Sequence, residues 1–140
     1  MPQSVTGLFA RYSELVRSRN LREVARLYRF PCLIEFPDRT VIAMNIDDLE
    51  ALLAERSSHL AASEVIDMTA RVAAVEMPRE NRFRAWVRWA YHYPDRIEPD
   101  GAGIIYYLTR SPGGLIAIEM LSYFSMAPFE AAARESSRIS

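Results

Sequence analysis

Apolar side chains at Val5, Leu8, Phe9, Tyr12, Leu15 and Val16 recur at the three- and four-residue spacing of a helix with one buried stripe, while Arg11, Glu14 and Arg17 take the opposite side. The spacing predicts a first helix that turns the phenol of Tyr12 inward. Asn20, with Glu23 three residues on, has the form of a capping box ahead of a second stripe at Leu21, Val24, Leu27 and Tyr28. Pro31 is expected to end that helix, because the residue before a proline is pushed out of helical geometry.

The run CLIEFPDRTVIAM then reads as two short strands around a Pro-Asp turn, a hairpin whose brief loop makes the strands antiparallel. Asn45 is placed to cap a third helix with Asp47 and Asp48 in its first turn, where carboxylates meet the positive end of the helix dipole. Ile46, Leu49, Leu52, Leu53 and Leu60 form its apolar side. After Ser63 the period changes from helical to alternating, which predicts strands over 65–76, 82–93, 103–110 and 115–124 with turn residues between them. Helix, helix, hairpin, helix and a four-strand meander describe an α+β domain whose long, strongly curved, mostly antiparallel sheet wraps the three helices of the N-terminal half. A hotdog arrangement, with one central helix, leaves the two stripes before Pro31 without a place.

Composition narrows the function classes. With 140 residues, half of them hydrophobic, one core is expected. We read residues 1–126 as a single domain and 127–140, rich in Ala and Ser, as a C-terminal tail. Lys and Arg number 17 against 18 Asp and Glu, so there is no basic field to collect phosphates and no nucleic-acid partner is expected. No apolar run approaches the roughly 20 residues that cross a bilayer, and no membrane partner is expected either. One cysteine, Cys32, and an opening segment without a leader pattern suggest a cytoplasmic protein.

Familiar reactive motifs are missing. His59 and His92 lack zinc-ligand spacing, and GAG at 101–103 does not open a helix after a strand. Neither a phosphate-binding loop nor a G-x-S-x-G elbow occurs, so neither cofactor nor metal is expected. Cys32, beside a proline at a strand start, reads as a small buried hydrophobe.

With this element order, the segments GLFARYSELV, LREVARLY and IEFP resemble the opening of a ketosteroid isomerase, and the chain over about residues 4 to 125 resembles the nuclear transport factor 2-like superfamily. That superfamily shares a cystatin-like cone and includes SnoaL-type polyketide cyclases. The resemblance implies that Tyr12 donates a hydrogen bond to a substrate oxygen, and it places a second donor at Tyr106. The residue matching the family's proton-shuttling carboxylate, just before Pro37, is Phe36, so steroid isomerisation by the family mechanism is not predicted. The Arg and Asp relay of limonene epoxide hydrolases has no counterpart in FRAWVRWAYHY either. Asp67 is the remaining acid or base candidate, with alternation turning it to solvent and a bulge able to turn it in.

Alternation puts Phe83, Ala85, Val87, Trp89 and Tyr91 toward the helices, with Ile104, Tyr106 and Leu108 on the next strand and Ile116, Ile118, Met120, Ser122 and Phe124 on the last. The expected ligand-binding set is Tyr28, Phe36, Phe83, Val87, Trp89, Met120 and Phe124, lining an aromatic pocket for an apolar small molecule. The same aromatics also suit a packed interior in which Tyr12 and Tyr28 bond each other or backbone carbonyls. The opposite face, carrying Arg84, Trp86, Arg88, Tyr107, Leu121 and Tyr123, has the mixture of aromatics and arginines found at protein interfaces, and a homodimer is expected there. Two functions fit: an isomerase, cyclase or dehydratase acting on a carbonyl compound, or a non-catalytic ligand-binding or dimerisation module.

Overall fold

The computed structural model describes residues 3–125; the tail expected over 127–140 lies outside them. Helix α1 (Val5–Arg17) starts at Ser4, whose hydroxyl accepts a hydrogen bond from the Gly7 amide at 2.9 Å. It buries Leu8, Phe9, Tyr12 and Ser13, so the predicted stripe is the face that docks.

Helix α2 (Leu21–Ala25) is shorter than its apolar stripe suggests. Asn20 makes no side-chain capping bond, and Glu23 instead pairs with Arg26 at 3.1 Å. The sheet claims the rest of the segment. The Leu27 carbonyl accepts from the Ile118 amide at 2.9 Å, and Tyr28 opens strand β1 (Tyr28–Glu35) opposite Ile118. Pro31 therefore lies within a strand rather than ending a helix. It falls where the pairing register with the neighbouring strand shifts, between Tyr28 and Leu33, so its missing N–H interrupts a stretch that is already irregular.

Strand β2 (Thr40–Ala43) closes the hairpin antiparallel to β1, with Cys32 opposite Ala43 and Glu35 opposite Thr40. Helix α3 (Ile46–Ala62) begins with reciprocal caps: Asn45 Oδ1 accepts from the Asp48 amide and Asp48 Oδ2 accepts from the Met44 amide, each at 2.9 Å. Strands β3 (Asp67–Val75), β4 (Arg82–His92), β5 (Ile97–Glu98), β6 (Gly103–Arg110) and β7 (Ile116–Ser125) complete the chain. The two-residue β5, which pairs with the end of β4, lies in a segment whose sequence reads as a turn.

The spatial order is β2-β1-β7-β6-β4-β3. Among the described strands only β1 and β7 run parallel; the remaining pairs are antiparallel, as the α+β reading anticipates. On β4 and β6 the predicted inward residues are all buried, with Trp89, Tyr91, Ile104 and Tyr106 fully enclosed.

On β7 the alternation breaks. Leu108 pairs with Ile118 while Tyr107 pairs with Met120, so Glu119 is an extra residue and every position beyond it changes face. Leu121 and Tyr123 thus point inward, opposite Tyr106 and Ile104, whereas Met120 and Ser122 point outward opposite Tyr107 and Ile105. Phe124 is 46% exposed and packs on the outer face, where the Arg88 guanidinium lies 5.0 Å from its ring centroid. Gly103 makes room for that ring, since a Cβ there would strike it.

The buried residues form one hydrophobic cluster between the three helices and the sheet, to which α1 contributes Leu8, Phe9 and Tyr12 and α3 only Leu49 and Leu60. No described helix is long and apolar enough to cross a membrane.

Candidate functional site

A cavity of about 460 Å³ lies between α3 and the β1–β7 end of the sheet. Its floor is the phenol pair Tyr12 and Tyr28, whose hydroxyls are 2.7 Å apart. One wall is Ile34 and Phe36 from the hairpin together with Leu121 and Tyr123 from β7, with Phe36 and Tyr123 stacked at 5.0 Å. The facing wall is the α3 stripe of Leu49, Leu52, Leu53 and Arg56. Asp38, Arg39, Glu55 and His59 stand at the rim with exposed side chains.

Burial governs the chemistry of the floor. It pushes the Tyr12 pKa from its ordinary 10 up to about 12, with the bond from Tyr28 opposing the rise. Tyr28 and Tyr106 are driven well above the ordinary phenol range by the same cause. All three are therefore neutral hydrogen-bond donors near pH 7 rather than proton sources. The Tyr12 hydroxyl meets those of both Tyr28 and Tyr106, so three phenols hold three protons for two bonds among them, and one proton remains to be donated elsewhere.

Tyr106 and Trp89 stand behind this floor. The indole Nε1 donates to the Tyr106 hydroxyl at 2.9 Å, and both rings pack on Tyr12, with centroids 6.3 and 5.2 Å away. Tyr106 is thus a supporting partner of Tyr12 and does not line the cavity. Phe83 and Val87 belong to the closed core farther along the sheet. Met120 and Phe124 are on the outer face, displaced from the expected ligand set by the Glu119 bulge.

Asp67 lies away from the cavity and pairs with Arg17 at 3.0 Å, because β3 keeps simple alternation at this end: its register shift comes only between Val72 and Ala74. The cavity provides no role for it as acid or base. The face expected to dimerise changes membership for the same reason as the pocket. Leu121 and Tyr123 are not part of it, whereas Arg84, Trp86, Arg88 and Tyr107 share it with Met120 and Phe124. Cys32 is buried in the core, and burial raises its thiol pKa to about 11, which keeps it an inert hydrophobe.

The sequence reading missed Arg56. Its side chain enters the cavity, its guanidinium carbon lies 5.6 Å from the Tyr123 ring centroid, and its Nη2 is buried with no hydrogen-bond partner among the described residues. Arg56 sits seven residues after Leu49, three after Leu53 and four before Leu60. A charge on the apolar stripe of a helix was the available signal. Among the described residues no group of three or more His, Cys, Asp or Glu side chains is arranged to hold a metal ion.

No protein-family model and no curated protein sequence matches the chain. Solved structures match it closely in shape. Aln2 from a Streptomyces species superposes with a TM-score of 0.68 at 11% identity, over 95% of this chain and 99% of that one. A Catenulispora acidiphila protein in complex with S-DNPA gives 0.62 at 12% identity, over 85% and 90%. A nuclear transport factor 2-like protein with a cystatin-like fold from Novosphingobium aromaticivorans gives 0.60 at 13% identity, over 85% and 77%. The helices, the strand order and these superpositions agree: the chain has the nuclear transport factor 2-like fold.

Proposed function

We propose that this protein binds a small, largely apolar carbonyl compound in the cavity beneath α3. One observation carries the reading: a space of about 460 Å³ walled by leucines and aromatic rings ends on a buried phenol pair whose bonded cluster has a proton to donate. The volume lies within the range of small-molecule sites, and apolar walls with a few fixed donors are the usual composition of such sites. The similarity in fold to a protein whose structure holds S-DNPA supports the same reading.

An isomerase, cyclase or dehydratase step on that carbonyl compound is the second reading. It is favoured by the placement of Glu55 and His59, 3.9 Å apart at the rim, as the groups able to take a proton while Tyr12 polarises the carbonyl. Binding stands first because, among the described residues, the interior wall carries no carboxylate. The homodimer remains part of the proposal, through the outer face with Met120 and Phe124 in place of Leu121 and Tyr123. Sedimentation of the wild type as a dimer and of Trp86→Asp as a monomer is the expected outcome, and a monomeric wild type would remove it.

A panel of aromatic ketones tests the binding reading. Native-state binding raises the melting temperature by mass action, and Leu53→Trp, which fills the cavity, is expected to abolish the rise while leaving the fold intact. No shift with any ketone, or a shift that survives Leu53→Trp, contradicts it.

A further inference from the structure

Arg56 brings a full positive charge into the cavity, and no carboxylate among the described residues neutralises it. No carboxylate of the described residues forms an ion pair with it. Its neighbour Glu55 is turned to the rim beside His59 and is two-thirds exposed, at 66%. The groups acting on the guanidinium from the other elements are the phenols of Tyr123 and Tyr91, then Tyr106 and Tyr12, with no carboxylate among them. A guanidinium does not lose its proton in a protein, so burial cannot discharge it as it would a lysine. Tyr123 gives it the attraction of a ring face and a contact with its hydroxyl, yet Nη2 is left without an acceptor. A half-buried charge with one buried, unpartnered donor is a costly arrangement unless something else completes it.

We infer that the ligand of this cavity is a carboxylate, an aromatic or alicyclic acid whose two oxygens are taken by the Arg56 guanidinium while its ring lies among Leu49, Leu53, Leu121 and Tyr123. The inference rests on the binding function proposed above and names its ligand class. A planar guanidinium matches a carboxylate with two parallel N–H···O bonds, and one positive charge suits one negative charge. A phosphate dianion fits less well, since a single arginine leaves half its charge unbalanced against apolar walls. The spare proton of the Tyr12, Tyr28 and Tyr106 phenols supplies a donor for a second oxygen function on the same molecule, the carbonyl of the proposed substrate class.

Calorimetric titration with 2-naphthoate and its neutral methyl ester, which share one ring system, separates the two levels of the proposal. In the wild type the acid is expected to bind about ten- to a hundred-fold more tightly than the ester, the range for hydrogen bonds to charged groups. Arg56→Met is expected to bring the acid-to-ester affinity ratio close to one, and Arg56→Lys, which keeps the charge but loses the fork, to retain part of the preference. Ester and acid binding equally to the wild type overturns the anion site and leaves the cavity reading standing; so does a preference for the acid that persists in Arg56→Met. If neither compound binds, the cavity reading falls and the anion site with it. Should Arg56→Met fail to fold by circular dichroism, the acid-to-ester ratio of the wild type and its decline in Arg56→Lys decide the matter.

Discussion

Helices α1 and α3 cover the same concave sheet, yet they bury their residues differently. The 13-residue α1 encloses four side chains, whereas the 17-residue α3 encloses only Leu49 and Leu60. Under α1, Phe9 packs 4.7 Å from the Tyr106 ring, and Leu8, Phe9 and Tyr12 are almost wholly enclosed. Under α3, the leucines stop short of β7 and leave the cavity. The anchoring of α3 explains why. Arg22 of α2 bridges Asp47 and Glu50 at 2.9 and 2.8 Å, and the caps fix its first turn, so the helix is held at one end and along one side rather than by a packed underside. A hollow thus arises where a helix is positioned by its neighbours instead of by the sheet.

Four changes break or sharpen this contrast, beginning with the largest. Trp89→Ala, in the closed half, removes a fully buried indole and leaves the Tyr106 hydroxyl without its donor. We expect a loss of about 3–5 kcal/mol in urea unfolding. Raising the pH attacks the phenol floor next. Tyr12 has a folded-state pKa of about 12 against an ordinary 10, so the folded state holds its proton more tightly than the unfolded chain. The resulting stability is complete below pH 10 and is lost as pH rises through 12, by roughly 2–3 kcal/mol. Cys32, raised from 9 to about 11, adds a loss in the same direction that begins near pH 9. Urea midpoints measured at increasing pH should fall across this window and stay flat beneath it.

Tyr12→Phe keeps the ring packing but removes one hydroxyl of the pair, leaving Tyr28 without that partner. A stability loss of about 1–2 kcal/mol is expected, together with weaker ligand binding. Leu53→Ala is the smallest. Truncating a half-buried wall of an existing cavity creates little new void, so we expect under about 1 kcal/mol by urea unfolding. If Leu53→Ala costs as much as Trp89→Ala, the two halves are equally packed and the contrast fails.

The closed half was legible in the sequence and the open half only in part. Period and capping residues are local signals, which is why α1, α3 and the faces of β4 and β6 follow from spacing alone. Tyr12, Tyr28 and Phe36 reach the cavity because Tyr12 lies on the buried face of α1, while on β1 the alternation that buries Tyr28, Cys32 and Ile34 holds across the register shift near Pro31. Two features were hidden for different reasons. The Glu119 bulge inverts the end of β7 through pairing with β6, a relation between distant segments that one strand's alternation does not encode. Arg56 was written on the apolar stripe of α3, but that stripe reads as core-facing, and whether it meets a sheet or a void depends on where α2 holds the helix.

The most direct test of the hollow is a crystal structure of the protein grown with 2-naphthoate. The account predicts the ring between Leu53 and Leu121, the carboxylate oxygens paired with Arg56, and the Tyr12–Tyr28 bond intact beneath it. A crystal in which α3 has settled onto β7 and closed the space, or in which Arg56 points to solvent with the naphthoate elsewhere, contradicts it.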